Sequence, residues 1–236
     1  MRVLIHTQKG GSGKTTTAVN LAAALLRHGY GKRVVLVDLD PQQHLTAMAA
    51  TTSEHGAGTA AFGTGLSTHP VRGEAGLFLT QGAALVPDDA LALPDDTSAD
   101  WTILDSAPAW SPRLAKASHW ADLILCPLEP DFFGLSGVGR LLEQIEAHGV
   151  TKDRLRFLLT RFNPRLALHR EVRDQLAKRF GALVLPVEIR SSVKLAEAPG
   201  MGRTIFSHAP GSTGCMDYRA LAAALAQALQ TGKTAA

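Results

Sequence analysis

A short glycine-rich stretch near the start of the chain restricts its fold more than any other feature. Residues 10–16 read Gly-Gly-Ser-Gly-Lys-Thr-Thr, after a β-rich run, Arg2–Thr7, and at the start of a helix-like segment, Lys14–His28. Glycines let a backbone approach a ligand closely, and the N–H groups at a helix N-terminus favour anions. A strand, a glycine loop and a helix in this order predict a phosphate-binding loop.

The residues around these glycines fit a nucleoside triphosphate with its magnesium ion. The common P-loop pattern is a glycine, four residues and then Gly-Lys-Ser/Thr; here its first glycine is absent, and Lys9 precedes a double glycine. We expect Lys14 to contact the β- and γ-phosphates and the Thr15 hydroxyl to hold Mg²⁺. A glycine-rich turn without a ligand is the alternative. The predicted ATP-binding residues of the loop are Gly10, Gly11, Ser12, Gly13, Lys14, Thr15 and Thr16.

Strand-like and helix-like runs alternate along most of the chain. The predicted strands are Arg2–Thr7, Arg33–Asp38, Leu77–Thr80, Trp101–Asp105, Asp122–Cys126, Arg156–Thr160 and Leu183–Val187. The predicted helices are Lys14–His28, Ser111–Trp120, Leu135–His148, Ala167–Phe180 and Asp217–Gln230. Nearly continuous Val and Leu in the strands is typical of strands covered on both faces. This order predicts an α/β fold with a doubly wound, mostly parallel sheet flanked by helices, as in P-loop NTPases.

The remaining sequence predicts one domain over residues 1–236 with a disordered tail at 231–236. Residues 51–97 are rich in Gly, Ala, Thr, Pro and Asp and are predicted mostly as loops. The two cysteines show no metal-ligand spacing, so a structural zinc site is not expected. No signal peptide precedes the first strand and the apolar runs are too short to span a bilayer, so we expect a cytoplasmic protein.

Positive charge is concentrated in the second half of the chain. Residues 151–220 contain 13 Lys or Arg and 6 Asp or Glu, whereas the whole chain has a net charge of only +3. Such an excess suits a polyanion, such as nucleic acid or an anionic membrane, but a solvated surface without a partner is an equal alternative.

Four segments together resemble the ParA-type partition ATPases of the ParA/MinD superfamily. The loop from Lys9 to Thr16 is similar to their deviant Walker A motif, Asp38–Gln42 to switch I, and Ile103–Pro108 to Walker B. The fourth segment, Lys194–Pro199 followed by Gly202–Ile205, resembles their C-terminal signature. Walker B departs from the family's usual Asp-Thr-Pro-Pro, because it reads Asp-Ser-Ala-Pro. Residues 51–100 are also short and loop-like where relatives usually carry helices.

The resemblance implies roles for individual residues. Lys9 corresponds to the signature lysine, which reaches the nucleotide of the other subunit in an ATP sandwich dimer, and Lys14 to the Walker A lysine. Asp40 corresponds to the carboxylate that orients the attacking water. Asp105 corresponds to the Walker B carboxylate, which acts on Mg²⁺ through water, and Asp38 lies near the metal. Each aspartate could instead serve only as a helix cap or turn former.

Asn163 follows the predicted strand that ends at Thr160. It is a candidate for contact with the adenine base, and a simple turn role is an equal alternative.

The function implied by the resemblance is an ATP-dependent, slowly hydrolysing homodimer. It would bind nucleoid DNA without sequence preference and partition a plasmid or chromosome origin, with a ParB-like or other small adaptor that stimulates hydrolysis. The cargo could instead be a protein assembly, such as carboxysomes or chemoreceptor clusters. The DNA-binding candidates are Arg165, Arg190, Lys194, Arg203 and Arg219, with Arg170 and Arg173 beside them.

Two other classes compete with this prediction. A MinD-like regulator would end in an amphipathic, basic helix with bulky apolar residues. The chain instead ends in an Ala- and Leu-rich segment, residues 218–236, so no membrane partner is expected. A metabolic enzyme that transfers phosphate to a small acceptor would have no obvious use for Lys9.

Overall fold

The computed structural model describes residues 1–50, 60–61, 67–71, 73–80, 86–88, 91, 93 and 98–234. The strands are β1 (Arg2–Ile5), β2 (Val34–Asp38), β3 (Ala60–Ala61), β4 (Ser67–Pro70), β5 (Leu77–Thr80), β6 (Trp101–Asp105), β7 (Leu123–Leu128), β8 (Leu155–Phe162) and β9 (Val184–Arg190). The helices are α1 (Lys14–Arg27), α2 (His44–Ala50), α3 (Pro112–Trp120), α4 (Phe132–Ala147), α5 (Ala167–Phe180), α6 (Val193–Gly200), α7 (Ile205–His208) and α8 (Thr213–Thr234).

The described strands form a single sheet in the order β3-β4-β5-β2-β6-β1-β7-β8-β9. The pairings from β5 through β9 are parallel, whereas β4 runs antiparallel to both β3 and β5. In the sheet, β6 and β2 lie on one side of β1, and β7 lies on its other side. The strand order therefore reverses at β1. Ligands of open α/β sheets bind at such a switch point, outside the carboxyl ends of the strands.

The sheet separates two hydrophobic cores, one on each of its faces. Val3 and Ile5 of β1 pack into the core shared with α1, α7 and α8, whereas Leu4, between them, packs with α3, α4 and α5. Successive side chains of a strand point to opposite faces, so both faces of β1 are covered. This arrangement confirms the predicted doubly wound α/β fold, with β1 and its loop at the centre.

Some elements differ from the sequence prediction. α6 and α7 were not predicted as helices, and β8 and β9 extend to Phe162 and Arg190, beyond the predicted strand ends. β5 is the predicted strand Leu77–Thr80, whereas β3 and β4 lie in a segment predicted mostly as loop, because strands of two to four residues near a sheet edge are too short for a periodic pattern. α8 continues to Thr234, past the predicted start of the tail at residue 231, and residues 235–236 lie outside the described residues.

None of the described helices combines the length and the hydrophobicity that crossing a bilayer requires.

Candidate functional site

The glycine loop between β1 and α1 leaves the first turn of α1 open to an anion. Gly11 and Gly13 have φ angles of 75° and 91°, in the left-handed region that glycine adopts without a Cβ clash. Gly13 is the N-cap of α1, and among the described residues no side chain caps this end. The first N–H groups of a helix have no partner within the helix and attract negative charge. The loop therefore offers backbone donors to a phosphate group.

Two side chains fix the shape of this loop. The Thr160 hydroxyl near the end of β8 donates to the carbonyl oxygen of Ser12 at 2.8 Å, and Ser12 is fully buried. The Lys14 ammonium donates to the carbonyl oxygen of Lys9 at 3.2 Å across the loop. Burial lowers the pKa of Lys14, while the charges of Asp105 and Asp40 act in the opposite direction. Lys14 is thus a buried cation that faces two predicted site carboxylates.

Thr15 and Asp105 meet beside Lys14. The Thr15 hydroxyl donates to Oδ2 of Asp105 at 2.6 Å. Asp105 Oδ1 is buried and has no hydrogen-bond partner among the described residues. Burial raises the pKa of Asp105 to about 7; the Thr15 hydrogen bond opposes this rise, and the Asp38 charge adds to it. A buried carboxylate with an unsatisfied oxygen is costly unless a cation or donor compensates it.

Asp38, the last residue of β2, and Asp40 both accept hydrogen bonds from the segment that follows them. Asp38 accepts hydrogen bonds from the Asp40 N–H at 3.1 Å and from the N–H and hydroxyl of Thr46, each at 2.8 Å. Burial raises the pKa of Asp38, and the bonds from Thr46 act against the rise. Asp40 accepts from the Gln42 N–H at 2.9 Å and is only half-buried. Asp38 is therefore a structural link to α2, whereas Asp40 retains access to solvent.

Lys9 is held by carboxylates that the sequence analysis did not predict. Its ammonium lies 2.6 Å from Asp131 Oδ2 and also pairs with Glu129. Glu129 in turn pairs with Arg161, whose Nη1 lies 2.9 Å from Glu129 Oε1. Burial opposes protonation of Lys9, but the hydrogen bonds to Asp131 and Glu129 outweigh it and raise the pKa of Lys9.

Ser106 of the Walker B segment is in hydrogen-bond contact with the buried His6. His6 Nδ1 lies 2.9 Å from the Ser106 hydroxyl oxygen, and this hydroxyl donates to the carbonyl oxygen of Ile5 at 2.9 Å. The Ser106 oxygen therefore accepts from His6, which places the imidazole proton on Nδ1. Burial lowers the pKa of His6 to about 3, and the Lys14 charge adds to the effect. His6 is thus a neutral residue whose hydrogen bond connects the end of β1 to the loop after β6.

The C-terminal signature packs against the helix of the glycine loop. The Ile205 N–H donates to Oδ1 of Asn20 in α1 at 2.7 Å. The Thr204 hydroxyl donates to Glu74, which is buried and also pairs with Arg27 at 2.7 Å. This signature therefore holds α1 in place through Asn20 and, by way of Glu74, through Arg27.

The remaining predicted residues have different surroundings. Asn163 Oδ1 accepts from the Arg165 N–H at 3.0 Å, which is the turn role considered above. Arg190 forms a bidentate pair with Asp217, with Nη2 2.6 Å from Oδ1, and Lys194 pairs with Glu197 at 2.8 Å. Arg165, Arg203 and Arg219 are exposed, and no acidic side chain of the described residues lies within ion-pair distance of them.

The loop, Thr15 and Asp105 fit a nucleoside triphosphate with magnesium. A Cβ built at Gly10, Gly11 or Gly13 would meet no atom within 4 Å, so the space next to the loop is open. The described residues contain no cluster of three His, Cys, Asp or Glu able to cage a metal. Mg²⁺ usually takes one or two carboxylates plus phosphate and water oxygens, so the lone Asp105 suits it when phosphates are present.

Comparison with known families places this geometry in context. Residues 3–205 match the family described as the CobQ/CobB/MinD/ParA nucleotide binding domain. The chain is also 38% identical over 237 residues to the chromosome-partitioning ATPase Soj of Thermus thermophilus, covering 94% of this chain and 93% of the relative. The chain is a ParA-type member of the ParA/MinD superfamily. The resemblance noted from the sequence of this ParA-type chain is thereby confirmed.

Solved structures resemble the ParA-type chain over nearly its full length. A putative plasmid partition protein of Borrelia burgdorferi, bound to AMPPNP, superposes with a TM-score of 0.76 at 15% identity, covering 96% of this chain and 98% of the other. Cobyrinic acid a,c-diamide synthase of Mycobacterium smegmatis, with bound ADP and magnesium, gives 0.70 at 25% identity, covering 98% and 96%. The P-loop NTPase fold of the chain is therefore confirmed.

Several residues of the site were not predicted from the sequence. His6, Thr46, Glu129, Asp131 and Thr160 do not stand out in any single motif. What they share is position, since all but Thr46 lie within three residues of the carboxyl end of β1, β7 or β8. The carboxyl ends of parallel strands meet at one edge of a sheet, so this position was the available signal.

Proposed function

We propose that the chain is a slow ATPase that binds Mg-ATP on the loop Lys9–Thr16 and pairs with a second copy when ATP is bound. One arrangement supports this most: the Thr15 hydroxyl and Asp105 lie 2.6 Å apart beside the buried Lys14, at the uncapped start of α1. These groups are the cation, the hydroxyl and the carboxylate that a magnesium-bound triphosphate requires.

Each residue has a defined task in this proposal. The N–H groups of Gly10–Thr16 and the Lys14 ammonium hold the phosphates. Thr15 and Asp105 would hold Mg²⁺, which neutralises part of the phosphate charge when bound. Asp38 keeps α2 in place through the hydrogen bonds from Thr46, and its Oδ1, which accepts one hydrogen bond, keeps it a candidate near the metal.

Asp40 is the residue proposed to orient the attacking water. It is half-buried, and one of its oxygens accepts from Gln42. Positioning and electrostatic stabilisation supply most of the catalysis in phosphoryl transfer. Lys9 supplies positive charge to the nucleotide of the partner subunit, so a single chain is an incomplete catalyst and turns over slowly. Asn163 remains a candidate for adenine contact in addition to its turn.

The second proposed activity is non-specific DNA binding by the ATP-bound pair. Arg165, Arg203 and Arg219 are exposed and have no ion-pair partner among the residues the structure describes. Lysine and arginine contacts to phosphates require no base readout, and two copies double their number. Arg190 and Lys194 contribute less, since Asp217 and Glu197 already neutralise them.

The cellular role then follows from this ATP-controlled cycle. We place the protein in the cytoplasm, on nucleoid DNA in its ATP form, where a ParB-like or other small adaptor stimulates hydrolysis and releases it. The cargo is a plasmid or chromosome origin, consistent with the 38% identity to a chromosome-partitioning ATPase.

DNA mobility shift and phosphate release with purified protein test this function. We expect the shift of an arbitrary duplex with Mg-ATP and its absence with Mg-ADP or no nucleotide, together with slow release of phosphate that needs no small-molecule acceptor. Anionic vesicles serve as the comparison surface. ATP-dependent pelleting with vesicles and no DNA shift would instead favour a MinD-like regulator. Hydrolysis that requires a small acceptor would favour a metabolic enzyme.

A further inference from the structure

A charged cluster beside the phosphate loop joins Lys9 to Glu129, Asp131 and Arg161. Glu129 and Asp131 follow β7, which pairs in parallel with β1, so the end of β7 lies next to the start of the loop. The Asp131 N–H donates to the Glu129 carbonyl oxygen at 2.9 Å and closes a tight turn. This turn presents both carboxylates to one ammonium group, that of Lys9.

Arg161 belongs to the same cluster and shares Glu129 with Lys9, since it contacts Oε1 whereas Lys9 contacts Oε2. It lies at an irregularity in the pairing of β8 with β9, and its φ of 50° is unusual for a residue with a side chain. From there its guanidinium reaches Glu129 at 2.9 Å. The preceding residue, Thr160, bonds the Ser12 carbonyl oxygen of the phosphate loop. Backbone strain of this kind persists where the surroundings enforce it, often at functional sites.

We propose that Glu129 and Asp131 hold Lys9 in a resting position in the single chain, and that this contact sets the ATP concentration at which two copies associate. The inference rests on the proposed function, in which Lys9 serves the nucleotide of the partner subunit. An ammonium group paired with two carboxylates of its own chain cannot at the same time be fully available to a phosphate of another chain. Association therefore requires each Lys9 to leave Glu129 and Asp131.

The size of the effect follows from the exposure of these side chains. Lys9 is 31% exposed, Glu129 14% and Asp131 38%, so the pairs are partly solvated. Partly exposed ion pairs shift an equilibrium by about two- to fivefold. Two lysines are released for every dimer formed, so the effect on the association constant is the square, about four- to twenty-five-fold.

A titration of Mg-ATP against self-association, followed by light scattering, tests the inference in the full chain. We expect E129Q and D131N to associate at lower ATP concentrations than the wild type. R161Q should show the opposite shift, because Glu129 is then left to Lys9 alone. The matched control is E146Q, which removes a carboxylate from an exposed pair with Lys152 at 3.0 Å, distant from the loop in sequence. It should leave the midpoint unchanged.

A second measurement needs no nucleotide. Pulse acylation of Lys9 with acetic anhydride, read by mass spectrometry, should be faster in E129Q than in the wild type, because the neighbouring carboxylates raise the pKa of Lys9. An unchanged or higher ATP midpoint in E129Q, with a wild type that does dimerise, would overturn this inference alone. A wild type that stays monomeric in saturating Mg-ATP would overturn the proposed function as well.

Discussion

The Thr15 hydroxyl donates a 2.6 Å hydrogen bond to Oδ2 of Asp105, although the two residues are 90 positions apart in the chain. The bond joins the first turn of α1 to the carboxyl end of β6, and β6 lies next to β1 in the sheet. It brings together the hydroxyl and the carboxylate that the proposed magnesium site needs. The absence of a partner for Asp105 Oδ1 among the described residues leaves this pair able to accept a cation.

Removal of the Thr15 hydroxyl should weaken Mg-ATP binding. Thr15→Val keeps the shape of the side chain but loses the oxygen that holds Mg²⁺, and the loss of an interaction with a charged group corresponds to roughly a 10- to 100-fold weaker affinity. Thr15→Ser keeps the oxygen and should bind within about threefold of the wild type. Isothermal titration with a non-hydrolysable ATP analogue measures both. Equal affinity of the Val and Ser variants would remove Thr15 from the site.

The buried Asp105 predicts a particular dependence of stability on pH. Its pKa in the folded chain is about 7, above its ordinary value of 3.8. The folded state therefore holds a proton that the unfolded state releases, so this contribution to stability is complete below about pH 4 and is lost as the pH rises through 7. In the nucleotide-free chain, Asp105→Asn should gain on the order of 2–4 kcal/mol over the wild type at pH 8 and almost nothing near pH 4.

Thermal unfolding at about pH 4.5 and about pH 8, without nucleotide, checks this difference. Addition of Mg-ATP at the higher pH should stabilise the wild type more than the Asn variant, because only the wild type offers a carboxylate to the metal. The same gain in Tm at both pH values would show that the buried charge is not its cause.

Substitutions of Asp40 can separate its proposed role in hydrolysis from its hydrogen bond to the Gln42 N–H. Asp40→Asn keeps an oxygen that accepts from the Gln42 N–H, so the turn is retained while the negative charge is lost. Both Asp40→Ala and Asp40→Asn should lower hydrolysis by about 100-fold or more, while ATP-dependent dimers and DNA binding persist. Phosphate release with DNA present is the measurement. Normal hydrolysis by Asp40→Asn would mean that Asp40 serves only the turn.

The arginines should divide into two functional groups. Arg165→Ala, Arg203→Ala and Arg219→Ala should each weaken binding to all DNA sequences alike, and each should reduce the salt slope by about one for every DNA phosphate that the arginine neutralises. Arg190→Ala should instead lower stability by about 1–2 kcal/mol, because the buried Asp217 loses its charged partner and keeps only the hydrogen bond from the backbone N–H of residue 190. Fluorescence anisotropy at several salt concentrations, beside thermal unfolding, distinguishes the groups. A loss of DNA binding in Arg190→Ala at unchanged Tm would contradict this division.

Local patterns were sufficient to predict the order of strands and helices and the glycine loop. Lys14, Thr15 and Asp105 could be predicted because each belongs to a contiguous motif at the end of a strand. The structure places these three residues together. It also shows that Asp38 accepts hydrogen bonds from the N–H and the hydroxyl of Thr46. Periodicity could not reveal α6, α7 or the strands β3 and β4, because such short elements are fixed by tertiary packing.

Contacts between distant parts of the chain explain the residues that were missed. Lys9 and Glu129 are 120 positions apart, and His6 and Ser106 are 100 apart. Only the strand order brings these pairs together, and a single sequence does not determine that order. The hydroxyl at position 106 supplies the oxygen that the buried His6 imidazole requires, a contact that the Walker B motif alone does not indicate.

The most direct test of the account is the molar mass of the purified chain in solution with each nucleotide. A single chain has a mass of 25.0 kDa, and light scattering distinguishes it readily from a pair. With saturating Mg-ATP, the Asp40→Ala variant should double in mass, whereas Mg-ADP, or a Lys14→Ala substitution added to it, should leave the single-chain value. A chain that is saturated with Mg-ATP and still has a mass of 25.0 kDa would contradict the central claim.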